Sequence, residues 1–140
     1  MKILIAADGS SYTKRVLAYL AAHDDWMGPQ HDYVVVNAVA AVPARAIAVL
    51  DKDLIQGYYD DEAEKVFKPI RTFMKKQGLN AQFVSKVGQA HDVIGKLANT
   101  GKFDLLVMGS HGHSSLGNLV MGSVATKVMS QVKIPVLLVR

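Results

Sequence analysis

Cysteine is absent from the 140 residues, which removes disulfides, thiolate zinc sites, iron–sulfur clusters and thiol nucleophiles together. Only four prolines occur, and no repeat or low-complexity linker interrupts the chain. No apolar run approaches the roughly eighteen residues of a membrane-spanning helix. Met1-Lys2 is followed by five apolar residues before Asp8, too few for a signal-peptide core, so the expected location is cytoplasmic. Carboxylates are scarce in the second half: residues 66–140 set ten Lys and Arg against Asp92 and Asp104. The acids crowd instead into residues 51–65, where Asp51, Asp53, Asp60, Asp61, Glu62 and Glu64 face only Lys52 and Lys65. The net charge of +4 permits an anionic partner. The lysines stand singly on expected helix faces, without the aromatic platform that nucleic acid needs, so nucleic acid is not the expected partner.

What the sequence has is a core. Half the residues are hydrophobic, enough for one domain spanning 1–140. Apolar runs of strand length recur at Ile3–Ala7, Tyr33–Val39, Ala81–Val87, Leu105–Met108 and Val136–Val139. Between them lie sets with helical spacing: Val16, Leu17 and Leu20; Val66, Phe67, Ile70, Phe73 and Met74, expected to follow the acidic stretch; Val93, Ile94 and Leu97; Val124, Val128 and Met129. Ser10 or Ser11 and Asp92 are expected caps, Gly78 and Gly101 expected stops, and Pro69 an expected kink within a continuing helix. Ala44–Leu50 is expected to form a short helix over the top edge of the sheet. Strands without polar alternation, each followed by a helix, predict parallel strands covered on both faces, a doubly wound α/β sheet.

In such a sheet ligands bind beyond the carboxyl ends of the strands, where strand order reverses. Asp8 leaves the first strand just before a helix. Val107-Met108-Gly109-Ser110-His111-Gly112 leaves the fourth into a glycine-rich loop that passes Ser114-Ser115-Leu116-Gly117 and reaches Gly122-Ser123 at a helix start. Small residues ending at a helix N-terminus offer N–H donors and a positive dipole end to phosphate oxygens. Asp8 opposite them would take sugar hydroxyls. Each half has a purely structural alternative: glycines that serve a turn, and an aspartate that caps a helix.

Other chemistries fail on spacing. Neither Gly95-Lys96-Leu97 nor Gly101-Lys102-Phe103 has the Ser or Thr of a P-loop, and the first turn has one glycine, Gly9, where a dinucleotide fingerprint needs three. His111 and His113 form a pair with no third metal ligand. Ser110 and Ser114 sit near those histidines, but no G-x-S-x-G elbow occurs, so hydrogen bonding to phosphate is their expected use. A pyrophosphatase-type S-G-G-x-D-S loop, the mark of adenylate-transferring enzymes, is missing after the first strand. His23, His31 and His91 carry no readable role, and Trp26 and Tyr58-Tyr59 are expected to pack in a core or interface.

Gly109-Ser110-His111-Gly112, nine residues, then Gly122-Ser123 resembles the nucleotide-binding signature G-x-x-G-x(9)-G-S/T of the universal stress protein family. The opening Ile3–Ser10, Phe103–Met108 and the closing Ile134–Val139 extend the resemblance over the chain. The resemblance implies a Rossmann-like (adenine nucleotide alpha hydrolase-like) five-stranded sheet in the order 3-2-1-4-5. It also implies binding of ATP, AMP or ADP, with Mg2+ as a companion ion, and a stress role with slow hydrolysis or autophosphorylation at most. Carried over, Ala7 and Asp8 contact adenosine, with Asp8 on the ribose, and Ala38 lines the adenine. Met108 and Gly109 lie beside the adenosine, His111 and Gly112 open the phosphate loop, and Gly122, Ser123, Val124 and Ala125 close it. Ala125 departs from members with a hydroxyl there, which puts one phosphate or metal contact, and so affinity, in doubt. An apolar last strand at the sheet edge is a pairing template, and the family order puts it there, so a homodimer through Ile134 to Val139 is expected. The runner-up is a ligand-free interaction module of the same fold.

Overall fold

The central strand, β1 (Lys2–Ala6), is buried from Ile3 onward because both its faces carry apolar side chains. In the computed structural model, which describes residues 1–113 and 120–140, Ile3 and Ile5 point to one layer and Leu4 and Ala6 to the other. Parallel pairing follows on each side. β2 (Asp32–Val39) runs beside β1 in the register Ile3 to Tyr33, and β4 (Leu105–Gly109) in the register Ile3 to Leu105. β3 (Asn80–Val87) and β5 (Val136–Val139) complete a five-stranded sheet in the order β3-β2-β1-β4-β5. The expected strand order and parallel topology are therefore observed.

Helices cover both faces. α1 (Ser11–Ala22) and α3 (Lys52–Lys76) pack Val16, Leu20, Phe67, Ile70 and Met74 against one face. α4 (Ala90–Thr100) and α5 (Ser123–Gln131) pack Ile94, Ala98, Ala125 and Val128 against the other. Ser10 is the α1 cap, its hydroxyl accepting from the Tyr12 amide at 3.2 Å. Among the described residues no helix is long and apolar enough to cross a membrane.

Three local expectations are corrected. Gln89, not Asp92, occupies the N-cap of α4; Asp92 lies within the first turn, where its charge still suits the positive end of the helix. The acidic stretch does not precede the second long helix but is inside it. α3 begins at Lys52, capped by Asp51, because Ile55, Tyr59 and Ala63 continue the apolar stripe backward at fourfold spacing, and the helix passes Pro69 without ending. The alanine-rich piece makes one turn, α2 (Ala44–Ile47), with no buried residue, so it does not cover the sheet.

Tyr33 on β2 is 1% exposed, and its hydroxyl bonds the carbonyls of Met27 (2.7 Å) and Gly28 (2.9 Å). Burial pushes its phenol from the ordinary 10.0 up to about 12. The unfolded chain therefore loses this proton first, and stability that is intact below the unfolded value drains as pH rises toward the folded one. Tyr33→Phe is expected to cost about 1–2 kcal/mol at pH 8. The gap to wild type should then narrow by on the order of 1 kcal/mol per pH unit above about 10. Urea unfolding of both proteins across that range checks it; a constant gap would refute the assigned burial effect.

Candidate functional site

The chain leaves β1 through Ala7-Asp8-Gly9-Ser10 before α1 begins. Ala7 still donates to the Val36 carbonyl (3.0 Å), and its own carbonyl accepts from Nδ2 of the buried Asn37 (2.8 Å). Gly9 then turns at φ +78°, a left-handed conformation costly for other residues, with Val66 close beside it. Thr13 locks the turn: its Oγ1 accepts from the amides of Asp8 (3.2 Å) and Gly9 (3.1 Å) and donates to Asp8 Oδ1 (3.1 Å). Oδ1 also accepts from the Ser10 amide at 2.9 Å. One carboxylate oxygen thus holds the turn, while Oδ2 faces Gly112, where a Cβ would sit 2.7 Å from it.

β4 ends against α1. A Cβ on Gly109 would lie 2.6 Å from Cβ of Tyr12, so the strand end and the first turn of α1 pack at glycine distance. Ser110 is buried; its amide donates to the Val139 carbonyl (2.8 Å) and its carbonyl accepts from the Gly122 amide (2.7 Å). Its hydroxyl lies 2.8 Å from Nδ1 of His111, whose ring meets Tyr12 at 5.0 Å. Nε2 of His113 is 2.7 Å from the Asp8 carbonyl; a carbonyl only accepts, so this nitrogen carries the proton. The start of the loop is therefore pinned to the end of β1 across the crevice. Gly122 sits at the N-cap of α5 with extended backbone and no side-chain cap. The first turn of that helix presents its amides toward the same space.

These ends enclose a cavity of about 410 Å³. All eleven residues singled out from the sequence, Ala7, Asp8, Ala38, Met108, Gly109, His111, Gly112, Gly122, Ser123, Val124 and Ala125, line it. Tyr12, Thr13, Asn37, Ala90, Ile94 and His113 line it as well and were missed. Asn37 had a readable signal, as the one amide within the apolar run of β2; Ala90 and Ile94 had none. Thr126 does not replace the hydroxyl that Ala125 lacks, because its Oγ1 is turned onto the Gly122 carbonyl at 2.8 Å. Ser114 and the loop residues Ser115, Leu116 and Gly117 lie outside the described residues. Trp26, Tyr58 and Tyr59 are not in the cavity wall. His23 bonds the Tyr19 carbonyl, and His31 lies between the Met1 amine and the Trp26 carbonyl. Among the described residues no three His, Asp or Glu side chains gather as metal ligands.

A model of the universal stress protein family matches residues 1–140. A universal stress protein of Synechocystis is 32% identical over 99% of this chain, and one of Thermus aquaticus is 31% identical over 99%. The match spans 42% of the Synechocystis protein, 49% of a Methanocaldococcus jannaschii relative and 97% of the Thermus one. Solved structures of the family share the fold. UspA of Lactobacillus plantarum has a TM-score of 0.76 at 18% identity, covering 100% of this chain and 97% of that one. An Arabidopsis thaliana family member with AMP bound has a TM-score of 0.71 at 14% identity, covering 99% and 90%. A universal stress protein in complex with cAMP has a TM-score of 0.66 at 22% identity, covering 100% and 96%. With the family matched from the first residue to the last, and the same sheet order in the fold, the chain belongs to the universal stress protein family.

Proposed function

We propose that this chain binds an adenine nucleotide in the crevice and acts as a nucleotide-dependent regulatory protein of the stress response. The carrying observation is the convergence on one cavity of a carboxylate oxygen, a glycine loop and an uncapped helix start. Family members with AMP and with cAMP bound support the choice of an adenine ligand. In this reading the amides of Ser123, Val124 and Ala125 take the phosphates, Asp8 Oδ2 takes the ribose hydroxyls, and Ala38, Ile94 and Met108 wall the base. ATP is the first candidate, with AMP and ADP as competitors. A magnesium ion accompanying ATP would take its ligands from the phosphates and water, since no protein cage is built for it among the described residues.

Hydrolysis is slow in this reading. His113 donates its Nε2 proton to the Asp8 carbonyl and His111 shares Nδ1 with Ser110, so both rings are engaged in holding the start of the loop. A ligand touching β1, β2, β4 and α5 together favours whichever arrangement of those ends fits it, which makes a conformational switch the natural output. One observation favours the ligand-free alternative: Gly109 packs on Tyr12 and Gly122 on His111, so both glycines have structural duties. Gly112 separates the two readings, because among the described residues a Cβ there meets only the Asp8 carboxylate.

Heat-denatured wild-type protein should release adenine nucleotide measurable by chromatography, and Gly112→Val should release far less while keeping its fold. No release from either favours the ligand-free module, and equal release from both removes the Gly112 loop from the nucleotide site.

Asp8→Asn keeps the Oδ1 acceptor of the turn and replaces Oδ2 by a donor. Titration calorimetry should show roughly 10–100-fold weaker ATP binding, the loss of a charge-assisted hydrogen bond of about 1.5–3 kcal/mol. Unchanged affinity would remove Asp8 from the ribose.

We also propose a homodimer through Ile134 to Val139. β5 is an edge strand, bonded only to β4, with Val136, Leu137 and Leu138 half-buried. Light scattering at micromolar protein should give twice 15.2 kDa; a monomer would count against it.

A further inference from the structure

α3 has two apolar faces, and only one is packed. Ala63, Phe67, Ile70 and Met74 lie against the sheet. Leu54 precedes Ala63 by about two and a half turns and so points the opposite way, with Tyr58 one turn along on the same side. No residue from Lys52 to Glu62 is buried; Leu54 is 65% exposed and Tyr58 49%. The preceding turn adds Ile47, Val49 and Leu50, also exposed. Five large apolar side chains within residues 47–58 are far more than scattered exposure explains. This is a formed surface and not a frayed end. Asp51 caps α3, the Leu50 amide donates to the Ala46 carbonyl (3.0 Å), and the Tyr59 hydroxyl accepts from the Val42 amide (3.0 Å).

Charge selects the occupant. Asp51, Asp53, Asp60 and Asp61 flank the stripe against the single cation Lys52, and a shallow groove of Tyr58, Asp61, Glu62, Glu64, Lys65 and Lys68 continues it. Lys65 is already paired with Glu62 at 2.7 Å and, farther along, Arg71 with Glu64 at 2.6 Å. A two-fold contact between copies would set this patch against itself, carboxylates on carboxylates, and an anionic bilayer would meet the same repulsion. A segment with leucine-like side chains on one face and Lys or Arg beside them answers both features. From this we infer that the outward face of Ile47 to Glu62 docks a cationic amphipathic helix of a partner protein. The inference is independent of the nucleotide reading, since none of these residues lines the crevice.

The test titrates the full chain by calorimetry with a Leu/Lys amphipathic peptide of about fourteen residues, four helical turns. A Leu/Glu peptide of the same apolar pattern and phosphatidylglycerol-containing vesicles run in parallel. Expected are saturable binding of one Leu/Lys peptide per chain, at least about tenfold weaker binding of the Leu/Glu peptide, and weakening as salt rises from about 0.05 to 0.3 M. The Leu54→Lys, Tyr58→Lys double variant should lose at least about tenfold in affinity at an unchanged thermal midpoint. Should it unfold, Asp53→Lys with Asp61→Lys is read in its place, with the same expected loss. No binding, equal binding of the Leu/Glu peptide, or undiminished binding by the variant that is read overturns the proposal. So does a fall in oligomeric mass in that variant, which would assign the face to a second copy, or vesicle binding that the variant abolishes.

Discussion

The site depends on where β1 sits. It lies between β2 and β4, and the helices that follow β1 and β4 leave toward opposite faces of the sheet, α1 with Val16 and Leu20 in one layer and α5 with Ala125 and Val128 in the other. Chain ends diverging from adjacent strands cannot close over the gap between them, so a crevice opens at their carboxyl ends. The apolar faces of β1 enforce this arrangement: Ile3 and Ile5 need α1 and α3 above them, and Leu4 and Ala6 need α4 and α5 below. The hydrophobic core and the binding-site geometry therefore have one cause.

Within the crevice, glycines act through absence of bulk more than through flexibility. Gly109 admits Tyr12, Gly122 admits the backbone of His111, and Gly112 leaves Asp8 Oδ2 uncovered. Asp8 itself is divided, one oxygen tying the turn through Ser10 and Thr13 and the other turned to the cavity. Such a division lets one acid hold the turn with one oxygen while the other stays turned to the cavity.

Much of this was legible in the sequence, because Ile3–Ala7, Leu105–Met108 and Val136–Val139 are uninterrupted apolar runs and the helices keep strict spacing. The eleven candidate residues met in one cavity since strand ends and motif spacing are local properties, and the sheet order does the rest. What was not legible depended on longer context. Asp92 was a plausible cap until the backbone placed Gln89 there. The start of α3 within the acidic run is not legible because the charges obscure the weak stripe of Ile55, Tyr59 and Ala63. Ala90 and Ile94 reach the cavity only through the packing of α4 under β2, which no local pattern encodes. Tyr58, expected to pack in a core or interface, is 49% exposed, because the packed face of α3 is the opposite one.

The peptide of Ser110 has one further implication. Its amide holds the terminus of the outermost strand at Val139, and its carbonyl holds the amide at which α5 begins. The two groups flank one Cα in successive peptide planes, so a single buried residue ties the rim of the sheet to the mouth of a helix. A displacement at the rim therefore reaches the helix mouth through the two dihedrals of that one residue.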